Sequence, residues 1–404
     1  MINIAVLGYG TIGSGVVEVL KTNGESIRKR AGDKINIKYV LDIRQFPGDP
    51  IAEILVNDVN IILNDPEVKI VVEVMGGINP AYSFVKEALL RGKSVITSNK
   101  ELVAKHGAEL LDIAKARDLN FLFEASVGGG IPIIRPLNQS LTADEIIEIT
   151  GILNGTTNYI LTKMSEEGIG FNKALADAQA LGYAERDPSA DVDGHDACRK
   201  IAILSSLAYG MQVDFEDIYT EGITKITDID IMYAKALNAR IKLFASSVRE
   251  DDENVYAMVA PMMIKANHPL FSVGDAFNGI YVRGNVIGDV MFYGSGAGKL
   301  PTASAVVADV VDAAKHFNKN IWTIWSSKKL ELISIDLVKH RFVVRVNKKE
   351  GALNDIKALF GDIEEVPEVV KDEFAFITPL ITEKEMKVKK EHISGLVGSI
   401  RTRF

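Results

Sequence analysis

Ile2-Asn-Ile-Ala-Val-Leu7, followed at once by Gly8-Tyr-Gly10-Thr-Ile-Gly13 and then by Val16, Val17, Val19 and Leu20, is the stretch that decides the fold. It reads as an apolar strand, a glycine turn and a helix. In such a turn the first glycine permits the bend, the second lets the backbone approach a pyrophosphate, and the third lets helix and strand pack closely, with the helix N-terminus facing the phosphates. A G-x-G-x-x-G alone also fits a plain strand-to-helix connection. Its flanks, a strand before and a helical pattern after, favour a dinucleotide.

The chain continues in the same rhythm. Ile35–Asp42 is a second strand, reached by a long Asn23–Lys34 connection that has no evident function. Asp42 stands about where a ligand to a ribose 2′-hydroxyl is expected and points to NAD. Arg44, two residues on, would instead meet a 2′-phosphate and point to NADP. Ile70–Val74 leads to a helix at Pro80–Arg91, and Lys93–Thr97 leads through Ser98-Asn99-Lys100 to a helix containing Leu102, Leu110, Leu111 and Ile113. Repeated strand–helix units imply a parallel sheet whose ligands gather at the carboxyl ends of the strands. Lys100 is expected at such an end, one residue before a helix. A last strand, Asn120–Phe123, runs into Glu124 and the glycines Gly128, Gly129 and Gly130. Clustered glycines let the chain turn sharply and aim carbonyls inward. With Glu124 they would suit a hard monovalent or divalent cation, which takes carboxylate and carbonyl oxygen; a flexible connection fits them equally well.

From Glu145 the texture changes. Ile146–Ile149 leads into Gly151-Ile-Leu-Asn154-Gly155-Thr156-Thr157-Asn158, small hydroxyl and amide side chains that suit a polar pocket wall. After a helix at Asn172–Leu181, Glu185, Arg186, Asp187, Asp191 and Asp193 form an acidic loop, and Asp193 reads as the N-cap of a helix reaching Tyr209. Asp196 and Lys200 then fall at i and i+4 on one helical face. A loop of this kind suits a small zwitterion such as an amino acid, although the pair also reads as a solvated surface ion pair. Alternating runs at Val255–Ala260 and Gly279–Phe292 indicate a helix-backed, largely antiparallel sheet. Gly294-Ser-Gly-Ala-Gly298 opens an amphipathic helix through Val306, Val307, Val310 and Val311, expected to return to the nucleotide domain with Gly298 near the cofactor. Beyond about residue 320, a strand at Arg341–Val346, a helix at Gly351–Phe360 and strand-like runs near Phe374–Ile381 and Glu391–Arg401 read as a small βαββ regulatory module. The mixed run Glu383–Glu391 reads as a solvated turn.

Composition bounds the possibilities. The 404 residues, 47% hydrophobic and 25% charged, suffice for two or three globular domains. A net charge of −8 with no Lys/Arg cluster argues against a nucleic-acid partner. The start of the chain lacks a signal-peptide pattern, and no apolar run approaches the roughly 18 residues that span a bilayer, so no membrane association and a cytoplasmic location are expected. The single cysteine, Cys198, excludes an internal disulfide and reads as packing filler.

The glycine turn, Glu124-Ala-Ser-Val-Gly-Gly-Gly-Ile-Pro132, Gly151-Ile-Leu-Asn-Gly-Thr-Thr-Asn-Tyr159, Leu181-Gly-Tyr-Ala-Glu-Arg-Asp-Pro188, Asp191-Val-Asp-Gly-His-Asp-Ala-Cys-Arg-Lys200 and Gly294-Ser-Gly-Ala-Gly-Lys-Leu-Pro-Thr-Ala303 together resemble homoserine dehydrogenase over roughly residues 1–320. The resemblance implies reversible NAD(P)H-dependent reduction of L-aspartate 4-semialdehyde to L-homoserine, the branch step toward threonine and methionine. It implies that Lys200 is the catalytic lysine and Lys100 a second lysine at the reacting carbonyl, whose charge would help lower the pKa of Lys200. Glu185, Asp191 and Asp196 would surround homoserine, Glu185 and Asp196 touching it most directly, with Thr156, Gly182 and Tyr183 in the pocket wall. Gly8, Gly10, Thr11, Ile12, Gly13, Ser98, Lys100 and Gly298 would contact the cofactor, and Glu124 with the carbonyls of Val127, Gly129 and Ile131 would hold a structural sodium ion. Arg186 departs from the family's usual proline. The tail resembles an amino-acid-sensing ACT domain, although Lys348-Lys-Glu-Gly351 replaces its usual Asp-x-Pro-Gly turn.

The expected fold is therefore α/β. An NAD(P)-binding Rossmann-type domain with a parallel sheet spans 1–144, and an α+β substrate-binding and dimerisation domain with a helix-backed sheet spans 145–300. A returning helix follows at 301–320 and an ACT-like βαββ domain at 335–404, in a homodimer or homotetramer acting on a small molecule. Two rivals stand beside this. Aspartate-semialdehyde dehydrogenase needs a nucleophilic cysteine, whereas the only cysteine, Cys198, sits mid-helix and reads as packing filler, and a non-catalytic NAD(P)-binding sensor has no use for two lysines among carboxylates.

Overall fold

Strand β1 (Ile2–Leu7) is buried along almost its whole length, which explains a continuous apolar run in place of alternation. The computed structural model describes residues 1–251, 254–348 and 352–404. It resolves into two units, the first comprising Met1–Glu145, Ala202–Phe215 and Gly294–Leu330, the second Ile146–Ile201, Glu216–Tyr293 and Glu331–Phe404.

In the first unit β1 is joined by β2 (Ile35–Leu41), β3 (Leu55–Val56), β4 (Val68–Glu73), β5 (Ser94–Thr97) and β6 (Phe121–Leu122) in the order β3-β2-β1-β4-β5-β6, all pairs parallel. This is the doubly wound order expected from the glycine turn, and its direction reverses between β1 and β4, where such sheets open a ligand crevice. Helices α1 (Thr11–Thr22), α2 (Gly24–Ala31), α3 (Val59–Asn64), α4 (Ala81–Leu90) and α5 (Lys100–Lys115) make the connections. The long Asn23–Lys34 stretch is thus largely a helix, α2, ended by Gly32 at φ +82°. Helix Lys299–Lys315 lies on α1: a Cβ at Gly15 would come within 2.9 Å of the Lys299 carbonyl oxygen. Its Ala303, Val306 and Val310 share one core with Ile4, Val6 and Val16.

The second unit is built on one long sheet. Its main path runs through strands Gly288–Ser295, Phe277–Gly284, β7 (Ile146–Ile152), Ala239–Arg249, Val255–Lys265, Leu396–Thr402, Lys339–Asn347, Glu373–Ile377 and Glu364–Val366. β7 pairs antiparallel with both its neighbours, strands Phe277–Gly284 and Ala239–Arg249; helix Gly155–Glu167 packs on both of these and helix Asp228–Ala236 on the second. Two short pieces tile the far edge of Val255–Lys265, each in parallel: Tyr219–Thr220 at Met258 and Val259, and Arg401–Thr402 at Met262 and Met263. The C-terminal module therefore continues the sheet.

That module is βαββαβ, with one helix and one strand, Glu364–Val366, more than its sequence suggests. The run Glu383–Glu391 is a helix, not a solvated turn. Thr382 and Glu385 form a capping box: the Glu385 N–H donates to Thr382 Oγ1 (3.1 Å) and the Thr382 N–H to Glu385 Oε2 (2.8 Å). Only Met386 of its side chains is fully buried, so the hydrophobic period that announces a helix is nearly absent. The other helix is described over Ala352–Phe360; Gly351, expected to begin it, and the turn residues Lys349 and Glu350 lie outside the described residues. Phe342, Val344, Val346, Ile356, Phe360 and Phe376 form the module's core. Among the described residues no helix is long and apolar enough to cross a membrane.

Glu383 anchors this module electrostatically. It accepts from Arg401 Nε (2.6 Å) and Nη2 (2.9 Å) and lies 3.0 Å from His340 Nδ1. Burial opposes the charged form, but these hydrogen bonds and charges outweigh it and bring the Glu383 pKa down to about 2. Because the folded-state value is depressed, the stabilisation is complete above the unfolded pKa and vanishes as pH falls through the folded one. Between about pH 5 and pH 2 the module should lose about 3 kcal/mol of stability, measurable as hydrogen exchange in strands Lys339–Asn347 and Leu396–Thr402. Glu383→Gln should flatten this acid limb; an equally deep limb in the variant would assign it to other groups.

Candidate functional site

At the carboxyl ends of β1, β2 and β4 a cleft of about 440 Å³ is lined by Gly8, Gly10, Asp42, Arg44, Val74 and Met75, among others. Gly8 turns the chain at φ +100°, and a Cβ at Gly13 would sit 1.9 Å from the Gly8 carbonyl oxygen, so the third glycine is required by the turn itself. Gly10 differs: a Cβ there would meet nothing within 4 Å. It caps α1 without a side-chain hydrogen bond. The N–H groups of Thr11, Ile12 and Gly13 have no intrahelical acceptors, and this open, uncapped terminus fits a pyrophosphate.

Asp42 and Arg44, which speak for different cofactors, bind each other. Asp42 accepts from the Arg44 backbone N–H (3.0 Å), Nε (3.0 Å) and Nη2 (2.8 Å), and also from the Tyr9 N–H (2.8 Å). The Arg44 hydrogen bonds, opposed by burial, hold the Asp42 carboxyl well below the usual carboxylate range. A 2′-hydroxyl or a 2′-phosphate would have to compete with this pair.

At the end of β5, Ser98 is half-buried and Asn99 caps α5, accepting from the Leu102 N–H at 3.2 Å. Lys100 is consequently the first helical residue, not the one before the helix. A group the sequence did not single out lies alongside: Glu73, fully buried at the end of β4, accepts from Thr97 Oγ1 (2.6 Å) and the Met75 N–H (2.8 Å). Burial pushes its carboxyl up. Its one sequence signal is an acid inside the apolar run Ile70–Val74.

The glycine-rich loop after β6 holds a correction. The Glu124 carboxylate, buried, accepts from the N–H groups of Ile133 (2.6 Å), Ile134 (2.8 Å) and Arg135 (2.8 Å), and is therefore spent on the backbone instead of facing a cation. The Glu124 N–H in turn donates to Asp309 Oδ2 (2.8 Å). Gly129, at φ +57°, leaves no room for a Cβ, which would lie 2.3 Å from the Gly296 carbonyl oxygen; the Gly130 N–H donates to Ser295 O (3.0 Å). This packs the loop against the segment that leads to Gly298. Among the described residues no cluster of three or more His, Cys, Asp or Glu side chains suits a metal.

In the second unit, Asn154 ends the run from β7 and caps helix Gly155–Glu167, its Oδ1 accepting from the Thr157 N–H at 2.9 Å. Its Nδ2 donates to Asp191 Oδ1 (2.7 Å) and Asp196 Oδ2 (2.9 Å). Lys200 Nζ donates to Asp196 Oδ2 and to the Leu153 carbonyl, both at 2.7 Å. Asp196 is 4% and Lys200 8% exposed, so the pair is a buried one and not a solvated surface bridge. Burial, with the neighbouring Asp196 charge adding, pushes the Asp191 carboxyl up against the Asn154 hydrogen bond. Thr156 Oγ1 donates to the Tyr183 carbonyl (2.6 Å), and the Tyr183 ring lies 5.1 Å from that of Tyr159. Gly182 turns at φ +75°. Glu185 stands apart: it is exposed, and no hydrogen bond links its carboxylate to this cluster among the described residues. The acidic loop contains a short helix, Ser189–Val192, and Asp193 caps its C-terminus. Gly194, at φ +87°, supplies the carbonyl that accepts the Cys198 N–H (2.9 Å), so glycine, not Asp193, stands at the head of the helix bearing Lys200. Cys198 is buried, which pushes its thiol up and away from reactivity.

Comparison with known proteins gives the family. One family profile, homoserine dehydrogenase, matches residues 132–311, and another, the NAD binding domain of homoserine dehydrogenase, matches residues 8–124. The homoserine dehydrogenase of Synechocystis sp. is 47% identical over 317 residues, 77% of this chain and 73% of that protein. That of Mycobacterium tuberculosis is 41% identical over 374 residues, 90% and 84% of the two chains. The solved homoserine dehydrogenase from Thiobacillus denitrificans matches 100% of this chain and 98% of its own with a TM-score of 0.92 at 36% identity. A hyperthermophilic archaeal homoserine dehydrogenase in complex with NADPH covers 80% of this chain and 99% of its own, with a TM-score of 0.68 at 28% identity.

The contrast between two glycines yields a prediction. Gly10→Ala should leave the melting temperature nearly unchanged yet weaken NAD(P)H binding, because its methyl enters empty space before α1. Gly13→Ala should lower both, since its methyl strikes Gly8. Unaltered cofactor affinity in Gly10→Ala, measured by fluorescence titration, would remove the pyrophosphate from that terminus.

Proposed function

The chain belongs to the homoserine dehydrogenase family of NAD(P)-dependent oxidoreductases, and from this premise we propose that Lys200 is the group that moves the proton. The reaction interconverts L-aspartate 4-semialdehyde and L-homoserine, and NAD(P)H supplies a hydride but no proton. The developing alkoxide therefore needs a positioned donor. The observation that carries the reading is the buried Lys200 ammonium, held by Asp196 and the Leu153 carbonyl. In reduction Lys200 gives its proton to the new hydroxyl; in oxidation it takes the proton back.

The other roles follow by chemistry. Asp196 is already shared by Lys200 and Asn154, so it serves mainly to orient the lysine. Asp191 and Glu185 then receive the substrate ammonium, with Thr156, Gly182 and Tyr183 as wall. Lys100 polarises the carbonyl oxygen. Gly8, Gly10, Thr11, Ile12, Gly13, Ser98 and Gly298 hold the cofactor, with Asp42 and Arg44 at its ribose. The carbonyls of Glu124, Val127, Gly129 and Ile131 hold sodium as a structural ion. We assign the βαββαβ tail to an ACT-like sensing role and the enzyme to the cytoplasm as a homodimer or homotetramer.

Two measurements test this. With L-aspartate 4-semialdehyde, Lys200→Ala should lower kcat by about 10²- to 10⁴-fold while NADPH affinity stays close to that of the wild type; near-normal turnover would reject Lys200 as the donor. Arg44→Ala, followed by nicotinamide absorbance with each cofactor, should shift the NADPH/NADH preference toward NADH. An unchanged ratio would free Arg44 from any part in reading a 2′-phosphate.

A further inference from the structure

Within the second unit a cavity of about 580 Å³ lies where the C-terminal module meets the loop Tyr219–Lys225, with Thr220, Thr224, Lys225, Lys390, Ser399 and Arg401 among its lining. A smaller one, about 280 Å³, shares Lys225, Lys390, Ser399 and Arg401 with it. Most charges in this wall are committed to one another. Arg401 binds Glu383 and Glu221, its Nη1 reaching Glu221 Oε2 at 2.6 Å, and Asp336 faces Lys387 at 3.7 Å. Lys225 and Lys390 make no ion pair or hydrogen bond among the described residues; of the lining acids, Asp193 alone is left uncommitted to set against them. Lys390 is only partly exposed, its Nζ 5.8 Å from the centre of the Phe342 ring, and burial pushes its pKa down. The charges of Glu221 and Glu383 offset this burial only in part; a partly desolvated ammonium with no carboxylate at ion-pairing distance is costly, and an anion arriving from solution would relieve it. The hydroxyls of Thr224 and Ser399 add donors of the kind that oxyanions accept.

The same wall presses on the catalytic helix. A Cβ at Gly222 would come 2.1 Å from the Val192 carbonyl oxygen and 2.5 Å from the Asp193 Cα, and the Ile223 N–H donates to Val192 O at 2.8 Å. Gly194, at the head of the helix carrying Asp196 and Lys200, faces Thr220 Cγ2 at a distance that would be 3.2 Å from an added Cβ. With so little free space, a shift of Thr220–Ile223 is carried to that helix.

We propose that this cavity is a second ligand site, taking a small anion with carboxylate or phosphate oxygens on Lys390 and Lys225, and that its occupancy is coupled to the Asp196–Lys200 helix through Thr220–Ile223. The binding stands independently of the assignment of Lys200; the coupling rests on it.

The test is calorimetric titration of the full chain, saturated with NADPH so that the glycine turn is filled, using inorganic phosphate in one arm and succinate in the other. One of the two should bind saturably, which also identifies the source of the anion. Lys390→Gln, and separately Lys225→Gln, should weaken it about tenfold or more, while Lys384→Gln, a charge change on the same helix outside the cavity, should not. No saturable binding in either arm, or equal affinity in all four proteins, overturns the site. Variants must keep the wild-type circular dichroism and melting temperature for the comparison to stand. For the coupling, the bound anion should change KM for the semialdehyde in the wild type but not in Lys390→Gln. Saturable binding with unchanged kinetics leaves the site and overturns the coupling. An inactive Lys200→Ala that still binds the anion would separate failure of this proposal from failure of the catalytic one.

Discussion

An ammonium taken out of water must be surrounded by oxygen, and the second unit is arranged to meet that demand at Lys200. Leu153 and Asn154, the residues that follow β7, supply one carbonyl and one amide; the amide fixes Asp196, and Asp196 fixes the lysine. The central strand, the helix it feeds and the helix bearing the lysine thus converge on a few polar atoms. Removing one partner leaves the others buried without compensation, which is far costlier than losing a surface bridge. Such a site is rigid because it is expensive to deform.

The first unit solves a different problem, that of bringing backbone close to backbone. Gly13 against Gly8, Gly15 against Lys299 and Gly129 against Gly296 are contacts where a methyl would collide with main chain. Each brings a turn or helix nearer than any side chain would allow, and together they gather the cofactor turn, the returning helix and the carbonyl loop. Gly10 is different in kind, since a Cβ there would meet nothing within 4 Å.

What could be read from the sequence divides along physical lines. The parallel sheet was legible because buried strands and glycine turns leave composition signals that depend only on neighbours a few residues away. The second sheet and the i,i+4 placement of Asp196 and Lys200 were legible for the same reason. The burial of that pair was not, since it depends on Leu153 and Asn154, far off in sequence. Glu124 read as a cation ligand because acid beside glycine looks like a metal loop; that its carboxylate is consumed by three N–H groups is a tertiary fact. Helix Glu383–Glu391 was misread for the opposite reason. Its capping box stands in the sequence as Thr382 and Glu385, but with Met386 its one buried side chain the helix has almost no hydrophobic period.

The tiled edge of strand Val255–Lys265 bears on the order of events during synthesis. Until its partners arrive, that strand shows a row of unmatched N–H and C=O groups on an apolar backbone, a template for pairing with another chain. Tyr219–Thr220 precedes it in the sequence and can cover Met258 and Val259 early, but Met262 and Met263 wait for Arg401 and Thr402. A nascent chain must therefore carry a half-open sheet edge until strand Leu396–Thr402 has been made. By pairing at Met262 and Met263, the C-terminal module closes that edge against strangers.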